Sequence, residues 1–275
     1  MKYADYIESI EIQDLWHRGV HVKWQLNPTV NILSGINGVG KSTIINHFAK
    51  GLSLLENGEM PAGELTQGIT LKLAPKGMDC IKFDVIRSFD RPLINSSLLE
   101  KLADTRVKTE LDWHLYRLQK RYLDYQVNIG NQMIALLTSG KPEDQQKAMQ
   151  VSLAKTRFQD MIDELFKDTN KSIDRSSNEI QFIQSGDTLN PYDLSSGEKQ
   201  MLVIMMTVLV ENGEHYALLM DEPEISLHIE WQQRLLELIT ELNPNAQVIL
   251  TTHSPAVIMS GWADCVTDVE DIIVD

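Results

Sequence analysis

The chain has 275 residues, of which 43% are hydrophobic, and this is enough apolar material for one large globular domain. Its net charge of −14 argues against binding nucleic acid over the whole surface, because such proteins are basic. Cys80 and Cys265 do not form a disulfide framework and fit a reduced, cytoplasmic protein. No signal peptide is visible and the longest apolar runs are too short to span a bilayer, so we expect no membrane partner.

The N-terminal part of the chain is predicted to be rich in strands. Alternating apolar and polar residues predict two or three strands over residues 5–33. The run "VNILSG" then predicts a strand that leads directly into a glycine loop, and "KSTIINHFAKGLSLL" predicts a helix after it. The segments "ITLKL" and "CIKFDVI" favour a strand hairpin. We assign residues 1–93 to an N-terminal lobe.

The middle of the chain is predicted to be helical. A stop signal, "TSGKPED", separates a long helical pattern over residues 97–138 from a second helical stretch. The apolar residues of the long pattern mostly alternate steps of four and three: Leu111, Leu115, Leu118, Tyr122, Tyr125, Ile129, Met133 and Leu136. We therefore predict an inserted antiparallel helical hairpin over residues 94–170. It is either a packed subdomain or a short projecting arm that contacts a partner.

The C-terminal part, residues 171–275, returns to a mixed pattern. A buried helix over about 197–210 is followed by the strand "YALLMD", an amphipathic helix over about 228–242 and the strand "AQVILTT". Strand, helix and strand in that order predict a parallel sheet covered by helices. The whole chain, residues 1–275, is thus predicted to form a single α/β domain.

One glycine-rich loop carries a specific phosphate-binding pattern. The sequence "GINGVGKST" matches G-x-x-x-x-G-K-[ST] and lies between a predicted strand and a predicted helix. Glycines let backbone N–H groups surround phosphates. Lys41 is expected to reach the β- and γ-phosphates, and the Ser42 hydroxyl to bind Mg²⁺. The predicted nucleotide-binding residues of the loop are Asn37, Gly38, Val39, Gly40, Lys41, Ser42 and Thr43.

Acidic residues end one apolar strand, and a histidine follows the next. In "LLMDEPE", Asp221 and Glu222 stand where α/β sheets bind ligands. Asp221 is predicted to bind Mg²⁺ directly or through water, and Glu222 to orient and deprotonate the attacking water. In "VILTTHSP", His253 is predicted to sense the γ-phosphate or that water. The predicted catalytic residues are therefore Lys41, Glu222 and His253, and the metal ligands are Ser42 and Asp221.

Four motifs stand in the order "GINGVGKST", "LSSGEKQ", "LLMDEPE" and "TTHSP". Together they resemble the ATP-binding-cassette (ABC) class of ATPases, over about residues 5–55 and 178–260. The resemblance implies a P-loop NTPase with a mixed, largely parallel sheet flanked by helices, and ATP and Mg²⁺ as cofactors. "DEPEISLHIEWQ", and Glu198 in the signature, resemble the soluble branch of RecF-like, OLD-like and structural-maintenance-of-chromosomes ATPases, which includes ATPases of bacterial defence systems.

The resemblance also implies how the second loop, "LSSGEKQ", is used. In this class the signature of one subunit faces the P-loop of another, so that two ATP molecules are enclosed in a homodimer. Carried over to this chain, the signature residues at the nucleotide are Ser195, Gly197 and Glu198. Hydrolysis would open the dimer, which makes it a switch whose state depends on the ligand.

Two roles implied by the resemblance stay open. The glutamine loop of the class corresponds to "IRSFDRP" (86–92), which contains no glutamine and offers Ser88 or Asp90 instead. Trp16 is placed either to stack on adenine or to be a buried structural residue.

The sequence thus predicts an ATP-hydrolysing switch for a separate effector protein in DNA maintenance or phage defence. One alternative is the energy-coupling subunit of a membrane transporter, which the signature and "DEPEISLH" disfavour. A second is a regulatory or toxin–antitoxin component that binds ATP only as a structural element and does not hydrolyse it. The mixed charges of the middle segment favour a solvated face and leave non-specific DNA contact open.

Overall fold

The computed structural model describes residues 1–16, 19–87 and 106–274. The strands in chain order are β1 (Tyr6–Leu15), β2 (Val20–Gln25), β3 (Val30–Ser34), β4 (Ile69–Ala74), β5 (Phe83–Arg87), β6 (Lys171–Ile173), β7 (Phe182–Gln184), β8 (Asp187–Leu189), β9 (Tyr216–Asp221), β10 (Ala246–Thr251), β11 (Val266–Asp268) and β12 (Ile273–Val274). The helices are α1 (Lys41–Glu56), α2 (Glu110–Thr138), α3 (Pro142–Val151), α4 (Leu153–Leu165), α5 (Ser196–Val210), α6 (Ile229–Leu242), α7 (Pro255–Met259) and α8 (Val269–Ile272).

The chain divides into two compact units. The first unit comprises Met1–Ser88 and Gly213–Asp275, and the second comprises Phe89–Asn212. The second unit therefore includes residues 171–212, which the sequence pattern had placed in the C-terminal lobe. The helix α5 explains this difference, because its apolar face packs within the helical unit that precedes it.

The first unit contains a parallel sheet with the strand order β11-β3-β10-β9-β5. All residues of β9 and β10 are buried, as expected for strands that are covered on both faces. Ser34, Asp221 and Thr251 are the last residues of three neighbouring strands of this sheet. The segments that follow these strands thus start from the same edge, and the predicted parallel sheet is confirmed.

A second, antiparallel sheet in the first unit has the order β12-β2-β1-β4. The predicted hairpin of "ITLKL" and "CIKFDVI" is wrong, because β4 pairs with β1 while β5 pairs in parallel with β9 in the other sheet. The connection between β4 and β5 instead meets the N-terminal segment, where Ala4 N donates to the carbonyl oxygen of Cys80 at 2.8 Å.

Gln247, a fully buried residue of β10, links the two sheets of the first unit. Its Oε1 accepts a hydrogen bond from Ile7 N at 2.8 Å, and its Nε2 donates to Ile7 O at 2.9 Å and to Asn27 O at 2.8 Å. Buried polar groups need such partners, so this amide fixes β1 against β10.

The second unit is built around α2, which begins with a capping box between Thr109 and Asp112. The chain returns through two helices, α3 and α4, which are separated at Ser152, instead of the single helix predicted. The predicted start near residue 97 lies outside the described residues. Within this unit Lys199 of α5 forms a buried ion pair with Asp112, with 2.8 Å between Nζ and Oδ1.

The helix α5 is apolar on nearly all sides, which agrees with its burial inside the second unit. The short strands β6, β7 and β8 form a separate antiparallel sheet in the same unit. In the part of the chain that the structure describes, no helix combines the length and apolarity that crossing a membrane requires.

Candidate nucleotide-binding site

The predicted phosphate loop connects β3 to α1 in the first unit. Gly38 and Gly40 have φ angles of +82° and +106°, which glycine adopts without steric penalty. Lys41 is buried, and its Nζ donates to the carbonyl oxygens of Gly35 at 2.9 Å and Ile36 at 3.2 Å. Burial lowers the pKa of Lys41, although the nearby carboxylates, Glu222 foremost, partly offset this effect.

Ser42 and Asp221 place two oxygen ligands side by side. The Ser42 Oγ donates to Asp221 Oδ1 at 3.0 Å, and the Thr251 Oγ1 donates to the same oxygen at 2.7 Å. The described residues hold no group of three or more histidine, cysteine or acidic side chains that could bind a metal alone. Mg²⁺ at phosphate sites uses one or two protein oxygens together with phosphates and water, so this pair fits it.

Glu222 lies at the start of the turn after β9. Its φ of +48° is rare for a residue other than glycine and carries a steric penalty. The backbone N–H of Glu222 donates to both the hydroxyl (3.0 Å) and the carbonyl oxygen (3.1 Å) of Thr251, which hold this conformation. Its Oε1 lies 3.1 Å from His253 Nε2, so the structure brings together the predicted base and the predicted histidine.

A second glutamate, Glu224, contacts the segment that contains His253, residues 252–254, which we call the histidine segment. Its Oε1 accepts hydrogen bonds from the His253 backbone N at 3.0 Å and from the Thr252 hydroxyl. Glu224 is only 6% exposed, and its Oε2 has no hydrogen-bond partner among the described residues. Glu224 is not among the site residues predicted from the sequence, although an acidic residue two positions after Glu222 in "DEPE" is a visible signal.

Trp16 and Arg87 also lie at the loop and the adjoining sheet edge. Trp16 is 38% exposed, and a Cβ on Gly40 would come within 2.1 Å of its indole ring. Trp16 therefore covers the phosphate loop instead of being a buried structural residue. Arg87, the last residue of β5, pairs in register with Asp221 and donates to Asn46 Oδ1 at 3.2 Å. Ser88 and Asp90, the suggested substitutes for the glutamine loop, lie outside the described residues.

The signature residues begin α5 in the second unit. Ser195 and Glu198 form a capping box, in which the Ser195 Oγ accepts from the Glu198 N–H at 3.3 Å and Glu198 Oε2 accepts from the Ser195 N–H at 3.0 Å. Glu198 Oε1 accepts from Lys171 Nζ at 2.8 Å and from Thr169 Oγ1 at 3.0 Å. Burial opposes ionisation of Glu198, but these hydrogen bonds outweigh it and lower its pKa. Gly197 lies in the first turn of the helix, where N–H groups lack intrahelical acceptors.

The fold and these residues define a P-loop ATPase of the ABC-like class. Residues 81–260 match the family described as "AAA domain, putative AbiEii toxin, Type IV TA system". This match covers more than half of the chain, and the chain belongs to that family. The resemblance that the four motifs indicated is thereby confirmed at the level of the class.

Curated proteins of two bacteria match parts of the chain. The chain is 30% identical over 91 residues to the "Retron Vc95 probable ATPase" of Vibrio cholerae serotype O1 biovar El Tor, covering 29% of this chain and 18% of the relative. It is 42% identical over 43 residues to the "Septu protein PtuA" of Bacillus thuringiensis, covering 16% of this chain and 11% of that protein. The matched segments thus span less than one fifth of the length of either relative.

Solved structures of similar overall extent include the "SMC head domain from Thermotoga maritima", at 16% identity and a TM-score of 0.44, covering 93% of this chain and 92% of the other. Another is cbiO1 from Clostridium perfringens, part of the ABC transporter complex cbiONQ, also at 16% identity and 0.44, covering 100% and 88%.

Proposed function

We propose that this chain binds ATP with Mg²⁺ and hydrolyses it. The main support for the proposal is that three groups lie at one edge of the parallel sheet. They are the Lys41 ammonium, the Ser42–Asp221 oxygen pair and the Glu222–His253 pair. A cation, a pair of oxygen ligands and a carboxylate base are the groups that phosphoryl transfer to water requires.

Each residue then has a defined task. Lys41 binds the β- and γ-phosphates, and the backbone N–H groups of residues 37–43 surround them. Ser42 and Asp221 hold the metal, which when bound neutralises the charge that develops on the phosphates. Glu222 accepts a proton from the attacking water, while His253, 3.1 Å from Glu222 Oε1, orients the carboxylate and the water.

ATP binding is proposed to change the number of copies that associate with one another. Large apolar side chains are exposed next to the site, namely Ile36 in the phosphate loop (75% exposed) and Ile225 and Ile229 after Glu222 (54% and 52%). Exposed apolar residues that surround a ligand site are typical of an interface. We therefore propose an ATP-dependent homodimer, in which Ser195 and Gly197 of one copy contact the γ-phosphate bound to the other.

The proposed biological role follows from the relatives. A family described by a toxin and a toxin–antitoxin system, together with relatives named for a retron and for Septu, supports a role in defence against phage. The chain would act in the cytoplasm as a switch, and a separate effector protein would read whether the dimer is closed or open.

A Glu222→Gln variant tests the proposal, because it keeps the shape of the side chain and removes the base. We expect ATP binding to persist, turnover to fall by about 10²–10⁴-fold and an ATP-dependent dimer to accumulate in size-exclusion chromatography. Glu237→Gln, at an exposed position of α6, is the matched control. Wild-type turnover in the Glu222 variant would contradict the base assignment, and a monomer at saturating ATP would contradict the dimer.

A further inference from the structure

Two segments that carry the proposed catalytic residues follow neighbouring strands. The first segment comprises Asp221, the last residue of β9, and the turn 222–227, and the second comprises residues 252–254, which follow β10. Thr251 holds the start of the first segment through its hydrogen bonds to Asp221 and Glu222. The position of the His253 ring, however, depends on what holds the backbone after Thr251.

Glu224 supplies that restraint with a single carboxylate oxygen. The backbone N–H of His253 and the hydroxyl of Thr252 both donate to its Oε1, and the Ser254 N–H donates to the Thr252 hydroxyl at 2.9 Å. Thr252 and His253 are thus hydrogen-bonded directly to one buried side chain, and Ser254 is connected to it through Thr252. Hydrogen bonds to a charged acceptor are about twice as strong as those between neutral groups.

Gln232 makes a second connection between the same segments. Its Nε2 donates to the carbonyl oxygens of Leu227 at 2.9 Å and Glu224 at 3.2 Å, and its Oε1 accepts from the Ser254 hydroxyl at 2.6 Å. This side chain projects from α6 on the same helix face as the buried Leu235, Leu236 and Ile239. The restraint on the histidine segment is therefore anchored to the core of the first unit.

The chemistry of Glu224 is unusual for a residue that would only stabilise the fold. A buried carboxylate loses solvation free energy, and an oxygen without a donor does not recover its share of that loss. The Oε2 of Glu224 is such an oxygen among the described residues. The fold thus gains little from this carboxylate, and its two hydrogen bonds to Thr252 and His253 point to a role in holding the histidine segment.

We propose that Glu224 is a positioning residue that acts through His253, with Gln232 as its support. It holds the His253 backbone so that the ring nitrogen stays 3.1 Å from the Glu222 carboxylate. This inference rests on the proposed ATP hydrolysis and specifies how one of its residues is kept in place. Displacement of a catalytic group by about 1 Å lowers turnover by about 10²-fold without a matching change in binding.

The test compares Glu224→Ala, Glu224→Gln, His253→Ala and the double variant Glu224→Ala/His253→Ala, with ATP turnover and ATP affinity measured separately. Glu224→Gln keeps an oxygen for both donors, so we expect turnover within about threefold of wild type. For Glu224→Ala we expect a fall of about 10–100-fold in kcat with unchanged ATP affinity. The double variant should be no slower than His253→Ala, because both changes remove the same interaction.

Several outcomes would overturn the proposal. A Glu224→Gln variant as slow as Glu224→Ala would mean that the charge itself acts in the reaction. Additive losses in the double variant would mean that Glu224 does not act through His253. Inactive wild-type protein, in contrast, would refute the proposed function itself, and active wild type with normal Glu224→Ala turnover would refute only this inference.

A second pair of variants keeps the test valid if Glu224→Ala does not fold. Gln232→Ala removes the support from α6, and Gln233→Ala changes an exposed neighbour on the same helix. We expect kcat to fall in Gln232→Ala, with unchanged ATP affinity, and to remain at the wild-type value in Gln233→Ala. Equal turnover in the two variants would contradict the proposed support.

Discussion

At the scale of single residues, the backbone of Glu222 shows how this site is constructed. The residue has a left-handed conformation with φ +48°, which an L-residue adopts at a steric penalty of about 1–2 kcal/mol. The two hydrogen bonds from its N–H to Thr251 maintain that conformation. A glutamate is thus kept at a position whose geometry favours glycine, which agrees with a chemical role for its carboxylate.

This strain predicts a difference between two inactive variants. Glu222→Gly relieves the steric penalty and Glu222→Ala does not, while the greater freedom of glycine in the unfolded chain offsets part of the gain. We expect Glu222→Gly to be more stable than Glu222→Ala by about 0.5–1 kcal/mol in urea denaturation. Equal stabilities would show that the turn relaxes when the glutamate is removed.

The contiguous motifs explain why some site residues could be predicted from the sequence. Lys41 and Ser42 belong to one loop pattern, and Asp221 and Glu222 follow one apolar strand, so their places required only the local pattern and the sheet edge. Glu224 was not predicted as a contact of His253, because a hydrogen bond between residues 29 positions apart leaves no periodic signal. Gln232 was missed for the same reason, since its partners come from two separate turns.

At the scale of elements, the start of α5 depends on Glu198. Its carboxylate closes the capping box with Ser195 and pairs with Lys171, and the side chains of the pair are only 5% and 12% exposed. Loss of the charge would leave Lys171 without its partner inside the second unit. The signature helix is therefore joined to β6 by one ionised group.

The stability that the protein loses when this group is replaced should depend on pH in a defined direction. The pKa of Glu198 is lowered in the folded protein, so its contribution is complete above the unfolded pKa of about 4.3 and is lost as the pH falls through the folded value. We expect Glu198→Gln to lower stability by about 2–3 kcal/mol at pH 7, and this difference to shrink below about pH 4. Urea denaturation at pH 7, 5 and 3.5 measures it.

The control for this prediction is Glu179→Gln, which changes an exposed glutamate of the same unit. It should leave the denaturation midpoint unchanged at each pH. A difference between Glu198→Gln and wild type that stays constant down to pH 3.5 would show that the charge of Glu198 is not its source.

The positions of the strands and helices were predicted better than the pairing between strands. The strands of "ITLKL" and "CIKFDVI" exist, but an alternating pattern does not reveal which sheet a strand joins, and β4 and β5 belong to different sheets. The helix α5 was predicted within one residue of its observed start because its apolar run is uniform. The return of the helical hairpin divides at Ser152, where no glycine or proline marks the break.

At the scale of the whole molecule, the net charge of −14 opposes association of two copies. Repulsion between like-charged proteins acts over long distances and is screened by salt, with a Debye length of about 10 Å at 0.1 M. The proposed dimer would therefore have to form against this field, through apolar and nucleotide-mediated contacts close to the site.

Salt should strengthen the proposed ATP-dependent dimer. For Glu222→Gln at saturating ATP, we expect the dimer dissociation constant to fall several-fold between 50 and 300 mM NaCl, as measured by sedimentation velocity. ATP affinity is determined at both salt concentrations so that changes in occupancy can be separated from changes in association. A dimer that weakens with salt would show that attraction between opposite charges at the interface dominates.

The discontinuous first unit also has a consequence for synthesis on the ribosome. Ile7 of β1 is fixed by Gln247, and the phosphate loop and Asp221 lie on opposite sides of the second unit in the sequence. About 120 residues must be translated between the two parts of the first unit, which takes about 6–25 s at 5–20 residues per second. During that interval β3 and β5 lack their partner strands β9, β10 and β11, while β1, β2 and β4 can already pair with one another. The nascent chain therefore exposes unpaired apolar strands at this stage, which is when it has the greatest need of a chaperone.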